Sequence, residues 1–250
     1  MDFMTISGLA IGFAAVWYVL STGGIIKLLF NLNAAILVFG GVLGATLITY
    51  PWYMIKRMPK CLILMFFPRR FIPASEVITV FETCSKRIRR EGLTSNLIQD
   101  IPDDKFFKEG VNLLIDGHEE EFIRDTLGNE IKYFTKRHSQ NAEIFKSMGA
   151  YAPIFGLLGT LIGVVQVLRN LTDPASMGQS MAIAITTTFY GIFSTNFFFL
   201  PVAGKLDAAT EKESRMYMLI VEGVLSLKRS EIPSVIRKRL QSFLAESEQK

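Results

Sequence analysis

Apolar and charged positions segregate sharply along this 250-residue chain. Four runs hold no Asp, Glu, Lys, Arg or His: residues 3–20, 32–50, 149–168 and 181–203. Each approaches the ~20 residues that a helix needs to cross roughly 30 Å of hydrocarbon, so the pattern predicts four transmembrane helices. A cleavable leader is the alternative for the first run. No basic segment precedes it, however, and no clean small-residue cleavage pattern follows it.

Between and after these runs the apolar residues recur at helical spacing. Residues 54–67 are apolar with basic insertions and are followed by Pro68, which suits a segment lying along a membrane surface. Val77, Ile78, Phe81, Cys84 and Ile88 mark a helix over 74–91 that ends at Gly92, and residues 106–115 form a shorter one closing at Asp116-Gly117. From Glu119 onward Phe122, Ile123, Leu127, Ile131 and Phe134 predict a long helix rising into the third crossing. After Pro201 the series Leu206, Met216, Leu219, Ile220, Val224 and Leu227 predicts another, with a break at 230–234 before a last helix over 235–244. No strand pattern competes. The expected fold is all-α, with four transmembrane helices and long helices extending into a cytoplasmic helical domain. Its segments are 1–50 (first two crossings), 51–148 (cytoplasmic), 149–203 (last two crossings) and 204–250 (cytoplasmic C-terminal helices).

Charge placement gives the expected orientation. Of 27 Lys and Arg, sixteen fall in 51–148 and nine in 204–250, with Lys56, Arg57, Lys60, Arg69 and Arg70 crowding the exit of the second run and Lys205 and Lys212 following the fourth. Basic residues beside membrane helices favour the cytoplasmic side, so both termini are expected to face inward. The composition, 50% hydrophobic and 12% aromatic with mean hydropathy +0.31, argues against an ordinary cytosolic enzyme. The net charge of +4 comes from basic residues interleaved with acids, which is not a nucleic-acid footprint.

Catalytic chemistry finds no support. The chain has no P-loop, no Gly-x-Ser-x-Gly and no His-Glu-x-x-His. His118 and His138 lack ligand spacing, and Cys61 and Cys84 read as free thiols, so no metal and no cofactor are expected. Gly156, Gly159 and Gly163 sit inside an apolar run with no preceding strand, where small residues let helices approach closely.

The third and fourth runs carry hydroxyls instead. Pro153, Gly156 and Thr160 share one helical face; Thr188, Gly191 and Thr195 share a face on the next helix, flanked by Thr186, Thr187, Ser194 and Asn196. Such groups can bond to their own carbonyls or join helices. They can also line a passage, since polar side chains in membranes tend to face a cavity or bundle interior. No hydroxyl holds a proton or fully compensates a cation, and the four runs contain no ionisable acid or base. An ion path built here needs a carboxylate from a second protein. Pro153 and Pro201 each remove a backbone donor and permit a bend, which serves packing or a hinge.

These residues resemble the flagellar stator A subunit, the MotA/PomA family of the MotA/TolQ/ExbB superfamily. The likeness runs through Ala152-Pro153, Gly156, Gly159-Thr160, Gly163, Thr187-Thr188-Phe189-Tyr190-Gly191, Asn196 and Leu200-Pro201. It extends to the glycine-rich second run (residues 40–46), Gly110-Val111 to Asp116-Gly117, Glu222-Gly223 and Ile232-Pro233-Ser234-Val235-Ile236. The resemblance implies a homopentamer in the bacterial inner membrane, enclosing two copies of a MotB/PomB-like subunit with an ion-carrying Asp and a peptidoglycan-binding domain. It implies ion-driven torque on the rotor switch protein FliG, surrounding membrane lipids, and no nucleic acid. By matched position Thr160, Thr187 and Thr188 would line the ion pathway, Pro153 and Pro201 would couple conformations, and Arg89 and Arg90 would contact the rotor. A threonine at position 160 leans the expected ion to Na+ rather than H+. The glutamate of the rotor-contact pattern falls at about Leu97 and is missing, with Asp100, Asp103 or Asp104 as possible substitutes. A TolQ/ExbB-like energiser of another envelope machine is the alternative, though those relatives usually have three crossings.

Overall fold

The computed structural model describes residues 3–24, 26–66, 72–169 and 171–244; Pro68, Arg69 and Arg70 lie outside them, as do the side chains of Asn96 and Asp100. All regular elements among the described residues are helical. The longer ones are α1 (Phe3–Thr22), α2 (Leu32–Thr49), α3 (Met58–Phe66), α4 (Ala74–Glu91), α5 (Lys105–Ile115), α6 (Glu120–Arg169), α7 (Pro174–Ser194), α8 (Leu200–Lys228) and α9 (Pro233–Gln241), with shorter turns at Ile26–Leu29, Trp52–Ile55 and Ser95–Asp100. Four helical stretches are long and apolar enough to cross a membrane: Phe3–Thr22, Leu32–Thr49, Glu120–Arg169 and Ser176–Lys228.

Helix ends have local causes. Asp104 accepts a hydrogen bond from the Phe107 amide at 2.9 Å, which starts α5 at Lys105, one residue before the apolar pattern does. Gly92 (φ +78°) and Gly117 (φ +81°) close α4 and α5 in a left-handed conformation that glycine adopts without a Cβ penalty. The final helix spans Pro233–Gln241 rather than 235–244, because Pro233 opens its first turn. Two wide turns, Ile36–Gly40 within α2 and Thr195–Phe199 between α7 and α8, have i→i+5 character. The second precedes Pro201, which has no N–H for a regular i→i−4 bond and is tolerated in the opening turn of α8.

Packing separates two compact units, residues 1–69 with 138–208 and residues 70–137 with 209–250. The charge-free runs end elsewhere, at 50, 149 and 203, because charge marks where an apolar stretch stops whereas core contacts mark where packing partners change. The first unit has a core of Val42, Phe145, Met148, Ala152, Phe199 and Val202, among others. No described residue of α1 is fully buried; one face, with Leu9 and Gly12, packs on this unit and the rest is open to lipid or another chain. It touches α7 through Phe13 and Phe193, whose rings meet edge-on at 5.3 Å between centroids. In α3, Met58–Phe66, Cys61 is buried, and that burial pushes its thiol pKa up, as expected of an inert free cysteine.

The second unit packs α4, α5, α9 and parts of α6 and α8 around Phe81, Leu97, Phe107, Leu127, Val224 and Ile236, all fully buried or nearly so. Phe81 stacks on Phe107 with centroids 4.8 Å apart. Gly223 lies against that ring: a Cβ there would stand 2.3 Å from Phe81 Cε2. At Gly110 the fit is less tight, an added Cβ standing 3.1 Å from Val224 Cγ2. Gly223 therefore permits a helix contact that alanine would spread.

Charge ties the same unit together at its ends. Arg229 bonds to Glu120 and lies 3.2 Å from Glu222, while Arg239 reaches Glu222 at 3.3 Å and Glu231 at 2.8 Å. Arg237 pairs with Glu82. Hydrogen bonds from Arg229 and then Arg124 lower the Glu120 pKa to about 2.

Gly223→Ala should lower the melting temperature of the purified chain by an amount equivalent to about 1–3 kcal/mol, since neither ring can yield. Gly128→Ala, with nothing within 4 Å of its added methyl, should be neutral or slightly stabilising. Equal effects of the two would refute the packing assignment. Because Glu120 is depressed in the folded state, its contribution is complete above the ordinary carboxylate pKa and is lost as pH falls from about 4.5 toward 2. Acid unfolding followed by circular dichroism should show that Arg229→Met flattens stability across this window relative to the parent.

Candidate functional site

Along residues 149–163, α6 places a small residue at almost every turn, and α7 answers with Ser180, Ala184, Thr187 and Gly191. The two helices meet backbone to backbone. A Cβ on Gly156 would lie 2.9 Å from the Thr187 carbonyl oxygen, and one on Gly191 2.5 Å from that of Ala152. At Gly163 the added atom would meet Ala184 Cβ at 2.6 Å. The contacts descend one helix as they ascend the other, the antiparallel, small-residue packing that lets membrane helices approach without a hydrophobic driving force. The sequence expectation for these glycines thus holds.

This approach brings Thr160 of α6 to Thr188 of α7, with their hydroxyl oxygens 2.5 Å apart. Around the pair stand two backbone carbonyls. Thr160 Oγ1 is 3.2 Å from Gly156 O and 3.3 Å from Ala184 O; Thr188 Oγ1 is 3.4 Å from each. Four oxygens share only two hydroxyl hydrogens, so after one threonine donates to the other and the second to a carbonyl, lone pairs remain. Both threonines are half-buried and line a cavity of about 720 Å³ with Val16, Ile185, Ile192, Asn196 and neighbouring phenylalanines. Its walls are almost wholly apolar, with Thr160, Thr188 and Asn196 as the polar side chains among the lining residues and no ionisable group among them.

The other hydroxyls are placed differently. Thr187 is fully buried against Gly159, donates to Ala184 O at 2.9 Å and does not line the cavity, so three successive threonines do divide their faces. Ser194 donates to Tyr190 O at 2.7 Å and Asn196 Nδ2 to Ile192 O at 2.9 Å, both within their own helical segment. Thr195 reaches across to Gly149 O at 3.0 Å. Pro153 stands at the crossing itself, its Cα beside Gly191. Pro201 opens α8 after the wide turn.

Polar contacts cluster at the ends of the apolar runs. Tyr50 hydroxyl meets Ser147 Oγ at 2.7 Å, Thr49 meets the Tyr151 hydroxyl at 2.9 Å, and Lys146 pairs with Asp207 at 2.8 Å. Lys205 donates to Thr5. Within the fourth run the Tyr190 hydroxyl donates to Leu29 O, just before the second run begins. None of these pairs was anticipated from the sequence; the tyrosines at run boundaries were the available signal.

In the second unit, Arg89 and Arg90 end α4 and are exposed, with Arg89 Nη2 donating to Ser230 O at 3.2 Å. Leu97, where an acid was expected, is fully buried in the core, so that position presents nothing to a partner. Asp104 is occupied in capping α5, and Asp103 is exposed and paired with Lys108. Among the described residues no group of three His, Cys, Asp or Glu could hold a metal ion.

Residues 98–218 match the model of the MotA/TolQ/ExbB proton channel family. The chain is 33% identical to "Motility protein A" of Borreliella burgdorferi over 98% of its own length and 94% of that protein's. It is 31% identical to "Chemotaxis protein PomA" of Vibrio alginolyticus, covering 98% and 95%. Among solved structures, that described as the flagellar MotAB stator complex from Bacillus subtilis has a chain with TM-score 0.90 at 30% identity, covering 98% of both. With the helical order, the apolar spans and the α6–α7 crossing in agreement, this chain belongs to the flagellar stator A-subunit family, MotA/PomA: multi-pass membrane proteins of motility, not enzymes.

Proposed function

We propose that this chain is the ring-forming subunit of an ion-driven flagellar stator in the bacterial inner membrane, with both termini cytoplasmic. Five copies enclose two membrane helices of a MotB/PomB-like partner, whose peptidoglycan-binding domain fixes it to the wall. The observation that carries this reading is the Thr160–Thr188 pair beside two carbonyls in a cavity with no acid of its own. Oxygen dipoles can replace part of an ion's hydration shell, but they supply no net charge. The partner's aspartate supplies that charge, binding the ion in one position of the ring and releasing it in the next.

Na+ is the proposed ion, because four oxygens converge where a single hydroxyl would suffice to relay a proton. Ion passage shifts α6 against α7 at Pro153 and bends the start of α8 at Pro201, and α6 and α8, each contributing residues to both packing units, carry the change to the cytoplasmic helices. There Arg89 and Arg90 meet acidic groups of the rotor switch protein FliG. The buried Leu97 means that this contact is built from the basic side alone, or with Asp103 once it leaves Lys108.

Thr188→Val, which keeps volume and removes the hydroxyl, should abolish or strongly reduce swimming while the stator complex still assembles in membranes. Thr160→Ala should weaken the dependence of swimming speed on external Na+. Swimming speed against Na+ concentration, with complex abundance measured by co-purification, checks both. If neither substitution changes torque or ion dependence, the seam only packs helices. Co-purification with a TolR/ExbD-like periplasm-spanning protein would instead identify an energiser of another envelope machine.

A further inference from the structure

In a regular helix the N–H of residue 153 would bond to the carbonyl of Gly149, but Pro153 has no N–H to give. An unpaired carbonyl in hydrocarbon is costly, and neighbouring helices or hydroxyl side chains can satisfy groups freed in this way. Thr195 Oγ1 stands 3.0 Å from Gly149 O, and both residues are buried. The same hydroxyl is 2.9 Å from Gly191 O in its own helix, where Ser194 Oγ also lies within 3.2 Å. Thr195 carries one hydroxyl hydrogen, so it serves one of these acceptors at a time. Ser194 can turn its one hydroxyl hydrogen from Tyr190 O, 2.7 Å away, to Gly191 O at 3.2 Å, whereas Gly149 O has lost its backbone partner.

We infer that Thr195 is a positioning residue: its hydroxyl supplies to Gly149 O the hydrogen bond that Pro153 withdraws, and so fixes the α6–α7 crossing at the level of the proline. Two features of the surroundings make that level decisive. Gly191 packs on the Ala152 carbonyl with no room for a Cβ, so the helices have one close approach there. Thr195 and Thr188 are seven residues apart, as are Pro153 and Thr160, so one stripe on each helix carries both contacts about two turns, or roughly 10 Å, apart. A shift released at Thr195 therefore alters the Thr160–Thr188 pair directly. The nearly equal distances to Gly149 O and Gly191 O let the hydroxyl change acceptor without being left unpaired when α7 moves. Thr195 also begins the wide turn that leads to Pro201, which places this one side chain between the two prolines. Its positioning role rests on the stator reading; the bond itself does not.

A double-mutant cycle separates the two. Thr195→Val, Pro153→Ala and the double variant are compared with the parent, as the full chain purified in detergent, by melting temperature. Thr195→Val should lower it by roughly 2–4 °C, and by less than half as much in the Pro153→Ala background, where the restored N–H serves Gly149 O. Thr195→Ser should melt like the parent. In swimming cells Thr195→Val should reduce speed at unchanged complex abundance, and Thr195→Ser should restore it. Equal thermal shifts in both backgrounds, or none in either, would overturn the bond. Coupled thermal shifts with full swimming speed in Thr195→Val would overturn the positioning role. If the parent complex shows no ion-dependent rotation, the stator reading fails while the thermal cycle still judges the bond.

Discussion

The structure depends on the backbone contact between α6 and α7. In hydrocarbon neither helix gains by hiding apolar surface, so their association comes from dispersion over a close approach and from hydrogen bonds across it. Glycines at 156, 159, 163 and 191 allow that approach, and each would meet backbone or a buried side chain if it carried a Cβ. The hydroxyl pair exists only because the backbones are this near: a wider crossing would leave Thr160 and Thr188 to their own carbonyls. Proline at 153 weakens one helix where the contact is tightest, which makes the crossing both specific and able to yield.

The second unit follows another physics. Its helices bury a conventional apolar core, and its ends are held by arginine–carboxylate groups in water. There Gly223 and Gly110 set how closely α4 and α5 pack on α8, while Glu82, Glu120, Glu222 and Glu231 fix where α9 and the end of α8 are held. The membrane unit, with α1 unburied and a groove beside α7, presents surfaces that require other chains or lipid.

The four spans were legible because excluding charge from hydrocarbon leaves an unmistakable gap, and the helices of the second unit because a core imposes a 3.6-residue period. The division of labour among Thr186, Thr187 and Thr188 was not. Three successive residues sweep about 200° of a helix, and spacing alone does not say which of them faces the neighbour. Leu97 could be read as a missing acid, but only packing shows that its position is inside the core. The wide turn at Thr195–Phe199 leaves no compositional mark except the proline that follows. The bond from Thr195 to Gly149 was hidden because its acceptor is backbone; the one available clue is that glycine lies four residues before a proline.

On the proposed reading this chain lines a membrane passage and borrows the charge that makes it conduct. The direct measurement is cation flux into proteoliposomes under an imposed voltage, with the chain alone and with its B-type partner lacking any plug. Flux should require the partner and should vanish when the partner's membrane aspartate is changed to asparagine. Conduction by this chain alone, at the rate of the complex, would contradict the account.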